Sequence, residues 1–205
     1  VLENKPLMQI TALAGDVFIE NIIFRNGKGL VLDNPLNSVS EFENTQKNTI
    51  GGAVVVRKAK VHFKNCGFIN NKSSFQGGAI FLVSGSEIII NGGLFYNNES
   101  FNGGAIYSRE SKVSLSLGVS QDPVIFSRNR SKSFGGGLFL LKNKELQIND
   151  VVFENNESGV GGGALYSQGC LKGNILNASL RGNLAFEGGA FYFAPSDMTL
   201  LSTDL

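Results

Sequence analysis

The sequence predicts a right-handed parallel β-helix, a solenoid of six to seven coils with about 26 residues in each. Three observations carry this prediction: a motif repeated at near-constant spacing, short apolar strand patterns bounded by turn residues, and no sustained period of 3.6 residues. Of the 205 residues, 26 are Gly and only 17% are charged. This composition favours strands and turns over helices.

The repeated motif consists of an apolar anchor, an Asn and a pair of glycines. The Gly-Gly units, followed by Ala or by a third Gly, begin 26, 26, 32, 27 and 26 residues apart. Asn stands three residues after each of the last five anchors, and Thr45 takes its place after the first. A β-sandwich would not need the same turn chemistry in every unit, so the matched spacing indicates stacked coils. The glycine units begin at Gly51, Gly77, Gly103, Gly135, Gly162 and Gly188, and the anchors are Phe42, Phe68, Phe95, Phe126, Phe153 and Leu180.

Each unit predicts three short strands. One follows the glycines, a second lies shortly before the anchor, and the third contains the anchor. Three short strands cannot bury their own apolar face, so each is expected to pair with its equivalent in the next coil, about 4.8 Å away. Right-handed winding is the default for parallel crossover connections.

The repeat divides the chain into two parts of one solenoid. We interpret residues 1–41 as degenerate N-terminal coils, in which Ile23 and Asn26 stand at the anchor and Asn positions, and residues 42–205 as one continuous repeat domain. The chain begins with Val and shows no basic-then-apolar signal segment, which we interpret as a piece of a longer polypeptide. No stretch approaches eighteen consecutive apolar residues, so no membrane span is expected within it.

The anchor, Asn and glycine positions are expected to build the fold. Phe should point inward as a stacked aromatic spine. Asn tolerates left-handed backbone, and stacked Asn side chains can hydrogen-bond from coil to coil. Neither a Lys-Ser/Thr pair nor a helix follows the glycines, so they are not expected to cradle a phosphate.

An aromatic column is the first candidate binding surface. Arg57, Arg109 and Gln168 lie two positions further along the same strand face, which predicts that this face looks outward. The sequence therefore predicts an exposed aromatic strip for sugar or protein, and the alternative is a face that packs on the parent protein or turns inward. The aromatic column consists of Phe81, Tyr107, Phe139, Tyr166 and Tyr192.

A charged column directly follows the repeat Asn. Its members are Lys72, Glu99, Arg130 and Glu157, whose signs alternate from coil to coil. Stacking would place opposite charges side by side, whereas a slip by one coil would place like charges together. We expect this first charge column to help set the register of the coils.

Three further features are candidates for function or modification. The third gap between glycine units is longer than the others, and its extra residues fall within 114–126, where an exposed loop could carry a binding function. Cys66 and Cys170 are 104 residues apart, about four coils, which is too far for a disulfide. Asn-x-Ser sequons, which glycans could occupy in a eukaryotic secreted protein, occur at Asn71, Asn98, Asn129, Asn156 and Asn177.

Several function classes are disfavoured by composition. The formal net charge is +1, which points to neither a nucleic-acid nor an anionic-membrane partner. His62 and two distant cysteines cannot assemble a zinc site. The six Asp residues fall in different repeat phases, whereas a β-helix enzyme acting on polysaccharide would cluster its carboxylates. We therefore expect neither catalysis nor a cofactor.

The paired strings resemble the repeats of one known family. "FINN", "FYNN", "FSRN" and "FENN", combined with "GGAI", "GGAL" and "GGAF", resemble the repeats of chlamydial polymorphic outer membrane proteins, and similar repeats occur in surface proteins of some protists. The resemblance covers about residues 42–193, with Gly137 in place of one Ala and Leu180 in place of one Phe. It implies a β-helical passenger region, displayed on a cell surface or secreted, with an adhesive role.

Two functional classes follow from these observations. The favoured one is an extracellular rod that binds a protein or glycan on a host or neighbouring cell, associated with the outer membrane if the source is bacterial. The second is a structural spacer or assembly component that packs against other parts of its parent polypeptide. A polysaccharide-active enzyme ranks third.

Overall fold

A computed structural model describes residues 6–11, 15–31 and 48–201. Within these ranges the chain forms strands and no helix, and the strands of successive coils stack in parallel. The predicted parallel β-solenoid is therefore confirmed. Phe42, Thr45 and the expected boundary between residues 41 and 42 lie outside the described residues.

Seven parallel strands form the first sheet, and most of them follow a Gly-Gly unit. The glycine spacing sets their register, so that Val54 lies opposite Ile80 and Ile106 lies opposite Leu138. Numbered in chain order, these strands are β1 (Met8–Thr11), β6 (Val54–Arg57), β8 (Ile80–Val83), β11 (Ile106–Arg109), β15 (Leu138–Leu141), β19 (Leu165–Gln168) and β22 (Phe191–Phe193).

Eleven parallel strands form the second sheet, in two rows. Two ten-residue strands belong to both rows and join them, whereas the other coils break at the corner between the rows. The strands are β2 (Val17–Glu20), β3 (Ile23–Arg25), β7 (Lys60–Ile69), β9 (Glu87–Tyr96), β12 (Lys112–Ser116), β13 (Val124–Ser127), β16 (Glu145–Asn149), β17 (Val151–Glu154), β20 (Gly173–Leu176), β21 (Ser179–Arg181) and β23 (Met198–Leu201).

Two small sheets complete the described structure. A parallel sheet of three two-residue strands follows the repeat Asn, and an antiparallel pair lies near the N-terminal coils. The three parallel strands are β10 (Glu99–Ser100), β14 (Arg130–Ser131) and β18 (Glu157–Ser158); the antiparallel pair is β4 (Leu30–Val31) with β5 (Thr49–Ile50).

The anchor side chains form the expected spine through the main core. Phe24, Phe68, Phe95, Phe126 and Phe153 stack with ring centroids 4.6–5.0 Å apart, as the coil spacing dictates. All five are buried, and Leu180 continues the column opposite Phe153. The inward prediction is therefore confirmed for the five anchors from Phe68 to Leu180. The expectation that Ile23 and Asn26 stand at the anchor and Asn positions is wrong by one residue, because Phe24 lies opposite Phe68, Ile23 is exposed, and Gly27 stands where the other coils have the ladder Asn.

The two glycines of each unit have different physical roles. Gly77 has φ +65°, a left-handed conformation that side chains rarely adopt. A Cβ on Gly78 would overlap the carbonyl oxygen of Gly104 in the next coil. The first glycine therefore makes the turn, and the second lets adjacent coils approach.

A helix that spans a membrane must be long and predominantly apolar. Nowhere in the described ranges does the chain form a helix of sufficient length and apolarity for that role.

Candidate functional site

The aromatic column is stacked but not exposed, so the expected exposure is wrong. Centroid separations of 5.0–5.4 Å join its five rings into one stack. Phe81, Tyr107, Phe139 and Tyr166 are each at most 8% exposed, and Tyr192 in the last coil is half-buried. Burial also raises the pKa of the Tyr107 hydroxyl.

The physical reason is a second hydrophobic cluster outside the main core. Strand alternation does turn the column away from the spine, as predicted, but residues from the segment before the glycines fold over it. Phe134 lies 4.5 Å from Tyr166 and 6.2 Å from Phe139 between ring centroids, and Phe75 packs against the same cluster. The rings therefore contribute to stability and present little surface to a ligand.

The repeat asparagines form a continuous buried ladder. The Asn98 amide nitrogen donates to the Phe68 carbonyl and to Asn129 Oδ1, both at 2.9 Å. Its own Oδ1 accepts from the Asn71 backbone N–H at 3.0 Å and from Asn71 Nδ2 at 3.1 Å. Asn129 and Asn156 repeat this pattern, and Asn183 extends it. Every hydrogen-bonding position of the Asn98, Asn129 and Asn156 side-chain amides is thus used inside the fold.

This ladder is incompatible with a glycan at four of the five expected sites in the folded chain. Asn71, Asn98, Asn129 and Asn156 are 0% exposed, and a glycan on any of them would replace a buried hydrogen bond and find no room. The repeat generates these sequons because it needs Asn for packing. Asn177 is different: it is exposed, and its Nδ2 donates to Asp150 Oδ1 at 3.2 Å.

The first charge column has the geometry that its alternating signs suggest. Lys72 Nζ lies 2.7 Å from Glu99 Oε2, and Arg130 Nη2 lies 2.7 Å from Glu157 Oε2. Glu99 and Arg130 lie opposite each other in adjacent strands and connect the two ion pairs. The Lys72 ammonium lowers the pKa of the Glu99 carboxyl. That this column sets the register stays a prediction.

A second charge column, which the sequence reading missed, is longer. Lys60 lies 3.5 Å from Asp16 and 3.7 Å from Glu87, and Lys112 lies 3.3 Å from Glu145. Strand register continues the alternation at both ends. The signal was present, because each member either begins a strand of the second sheet or directly precedes one. In order, the column is Asp16, Lys60, Glu87, Lys112, Glu145, Lys172 and Asp197.

Neighbouring groups stabilise the ionised carboxylates of this second column. A hydrogen bond from His62 lowers the pKa of Asp16, and Lys60 adds to the effect. Gln147 and then Lys112 lower the pKa of Glu145. Asp16 and Asp197 share the column, so the expectation that all Asp residues occupy different repeat phases is wrong for this pair.

Replacing Glu99 with Lys should lower the free energy of unfolding by up to about 1 kcal/mol at low ionic strength, because three cations would then stack. The lowered pKa of Glu99 means that its contribution is present at neutral pH and is lost as the pH falls through that pKa. The difference from wild type should therefore shrink in acid and in 1 M NaCl. Denaturation curves at several pH values measure it. Glu99→Gln is the matched control, and its free energy of unfolding should lie between those of the wild type and of Glu99→Lys. Superimposable denaturation curves of the wild type and Glu99→Lys at low salt would refute the effect.

The remaining candidates are the loop within residues 114–126, the two cysteines and a metal site. Residues 117–123 form the loop predicted within 114–126, with Val119 exposed at its tip. Cys66 and Cys170 are buried and free, and burial raises the pKa of both thiols. In the portion of the chain that the structure describes, no three His, Cys, Asp or Glu side chains converge on a metal-sized site.

Comparisons with known proteins show what this repeat is similar to. A family model described as the Chlamydia polymorphic membrane protein repeat matches residues 150–168. The probable autotransporter YfaL of Escherichia coli K12 is 37% identical over an alignment of 73 residues that covers 32% of this chain and 6% of that protein. The chain thus spans a small fraction of the length of this relative. No solved structure matches the chain significantly.

The matched segment contains the parts that recur along the solenoid. It includes the Phe153 anchor, the ladder residue Asn156 and the glycine unit at Gly162. The same three parts occupy equivalent stacked positions in the neighbouring coils. The chain therefore carries repeats of the polymorphic membrane protein type.

Proposed function

We propose that this chain is part of a passenger-type region, displayed at a cell surface or secreted, that acts without catalysis in adhesion to a protein or glycan. The repeat type and the similarity to a probable autotransporter support the placement. The observation that carries the adhesive role is that each coil contains two different sets of residues. The repeated residues pack inside the fold, whereas the outward residues differ between coils.

A solenoid suits this role physically. Its parallel strands hold outward side chains in rows, at intervals of about 4.8 Å along the rod. The many backbone hydrogen bonds between coils fix the positions from which those side chains project before a ligand arrives. Little ordering entropy is then lost on binding.

Adhesion is tested with the 205-residue chain coupled to beads and offered to cultured epithelial cells, matrix proteins and an oligosaccharide panel. We expect saturable binding that soluble chain displaces. Beads carrying the heat-denatured chain are the control. Binding no greater than that of the denatured chain across the panel would refute the proposal.

A structural spacer is the second candidate, and burial of the aromatic column favours it. A rod whose aromatic residues are covered can hold a distal ligand-binding part away from the surface without binding anything itself. If the parent protein keeps its full adhesion after the outward residues of the described coils are replaced by Ser and Thr, the spacer role is favoured.

A further inference from the structure

A polar groove lies on the outer corner where the chain turns after each anchor strand. It has a volume of about 260 Å³ and spans three coils. We propose that this groove binds an acidic saccharide, with Arg128 contacting the carboxylate of the sugar. The proposal rests on the adhesive function above and names its ligand class.

The backbone makes Arg128 an unusual occupant of its column. Asn70, Asn97, Arg128 and Asn155 occupy equivalent positions before the buried ladder, with φ between +52° and +55°. Asn tolerates this left-handed backbone, whereas a long side chain there costs on the order of 1 kcal/mol. Arg128 also interrupts the outer amide pairing in which Asn97 Nδ2 donates to Asn70 Oδ1 at 2.8 Å. Asn at position 128 would suit the fold better than Arg does.

Arg128 is also the uncompensated charge of the groove. Glu99 is paired with Lys72, and Arg130 is paired with Glu157. Arg128 is exposed and forms no ion pair with any residue in the described ranges. A guanidinium without a carboxylate partner offers a planar fork that fits a ligand carboxylate with two parallel hydrogen bonds.

The groups on either side of Arg128 favour a saccharide over an acidic peptide. Asn97 and Asn155 lie one coil before and one coil after it, about 4.8 Å away along the rod. Asn97 Oδ1 and the side-chain amide of Asn155 make no hydrogen bond within the described structure, which leaves acceptors and donors for ring hydroxyls. Every residue that lines the groove is polar or charged, so the groove offers no apolar side chain against which peptide side chains could be buried.

The test measures binding of the 205-residue chain to sialylated and glucuronate-terminated oligosaccharides and to their neutral parent sugars. The wild-type chain should prefer the acidic forms. Arg128→Asn should weaken that binding at least about tenfold, because one charge-assisted bidentate contact is lost. Its melting temperature should not fall, since Asn suits the backbone. Lys142→Asn is the matched control: it also replaces an exposed cation at positive φ (+50°), at a corner outside the groove, and should bind as wild type does.

Each alternative outcome is decisive. Equal binding by wild type and Arg128→Asn, equal loss in both variants, or tighter binding of hexaglutamate than of the sugars would overturn the acidic-saccharide site. If acidic sugars do not bind but the adhesion to cells or matrix persists in Arg128→Asn, the site fails and the adhesive function stands. If nothing binds at all, both fail.

Discussion

Asn98→Ala is expected to lower the free energy of unfolding by about 3–5 kcal/mol. The Asn98 side chain makes four buried hydrogen bonds that link three coils, and Ala would leave the Phe68 carbonyl, the Asn71 amides and Asn129 Oδ1 short of partners. Each buried group left unpaired costs about 1–3 kcal/mol. Urea denaturation of the 205-residue chain, followed by circular dichroism, measures the shift in midpoint.

The adjacent residue supplies the control. Asn97 is exposed and has φ +52°, so Asn97→Gly removes an amide of similar size without straining the backbone. We expect a change within about 1 kcal/mol, as is usual for surface positions. Equal destabilisation by the two variants would show that the buried ladder has no special contribution.

The fold was predictable because the repeat leaves few alternatives. Units such as those at Phe68 and Phe95 are too short to fold alone, and their matched spacing forces equivalent residues into register. The inward anchors and the coil-to-coil bonding of the asparagines follow from that register. The extra residues in the third gap could likewise be assigned to a loop, since β12 and β13 keep their register with β9 on either side of it.

Exposure of the aromatic column could not be predicted from strand alternation. Alternation separates the two faces of β11, but it does not say whether a face meets water or another segment. Phe134 covers Phe139 and Tyr166 because the segment between the Asn and the glycines crosses back over the sheet. That path depends on tertiary packing, which the repeat spacing does not encode.

The two charge columns differ in how easily they could be predicted from the sequence. The first column was found because its members stand beside a conspicuous Asn. The second column, from Asp16 to Asp197, stands beside variable apolar residues such as Val61 and Leu146, so its alternation is visible only once the strands are aligned. The same alignment shows Arg128 to be an exception in a column of asparagines, and no shorter stretch of sequence reveals that.

The buried sequons lead to the prediction with the largest effect. In a eukaryotic secretory pathway, glycans would be attached before the coils close, and a glycan on Asn71, Asn98, Asn129 or Asn156 would hold that side chain out of the ladder. We expect the glycosylated wild-type chain to be retained in the cell, with little or no folded protein secreted. The same chain made in a bacterial cytosol, which adds no glycans, should fold.

The third residue of each sequon allows the glycans to be removed while the ladder is kept. Among the described residues, the hydroxyls of Ser73, Ser131 and Ser158 are buried and have no hydrogen-bond partner, so Ala at these positions should cost little. Ser100 Oγ donates to the Asn102 carbonyl at 2.7 Å, so Ser100→Ala should cost about 1 kcal/mol. The quadruple Ser→Ala variant should therefore be secreted in folded form, with a single glycan at Asn177.

Secreted yield, protease resistance and the mass change on deglycosylation measure the outcome. Asn177→Gly in the quadruple background should abolish the last glycan without changing the yield, because that side chain is exposed and Gly adopts its left-handed backbone (φ +51°) without strain. Secretion of a folded, protease-resistant wild-type chain with glycans at the four ladder positions would contradict the buried ladder itself. Retention of the quadruple variant would show that something other than the glycans prevents folding there. The two results separate the role of Asn in packing from its incidental role as a sequon.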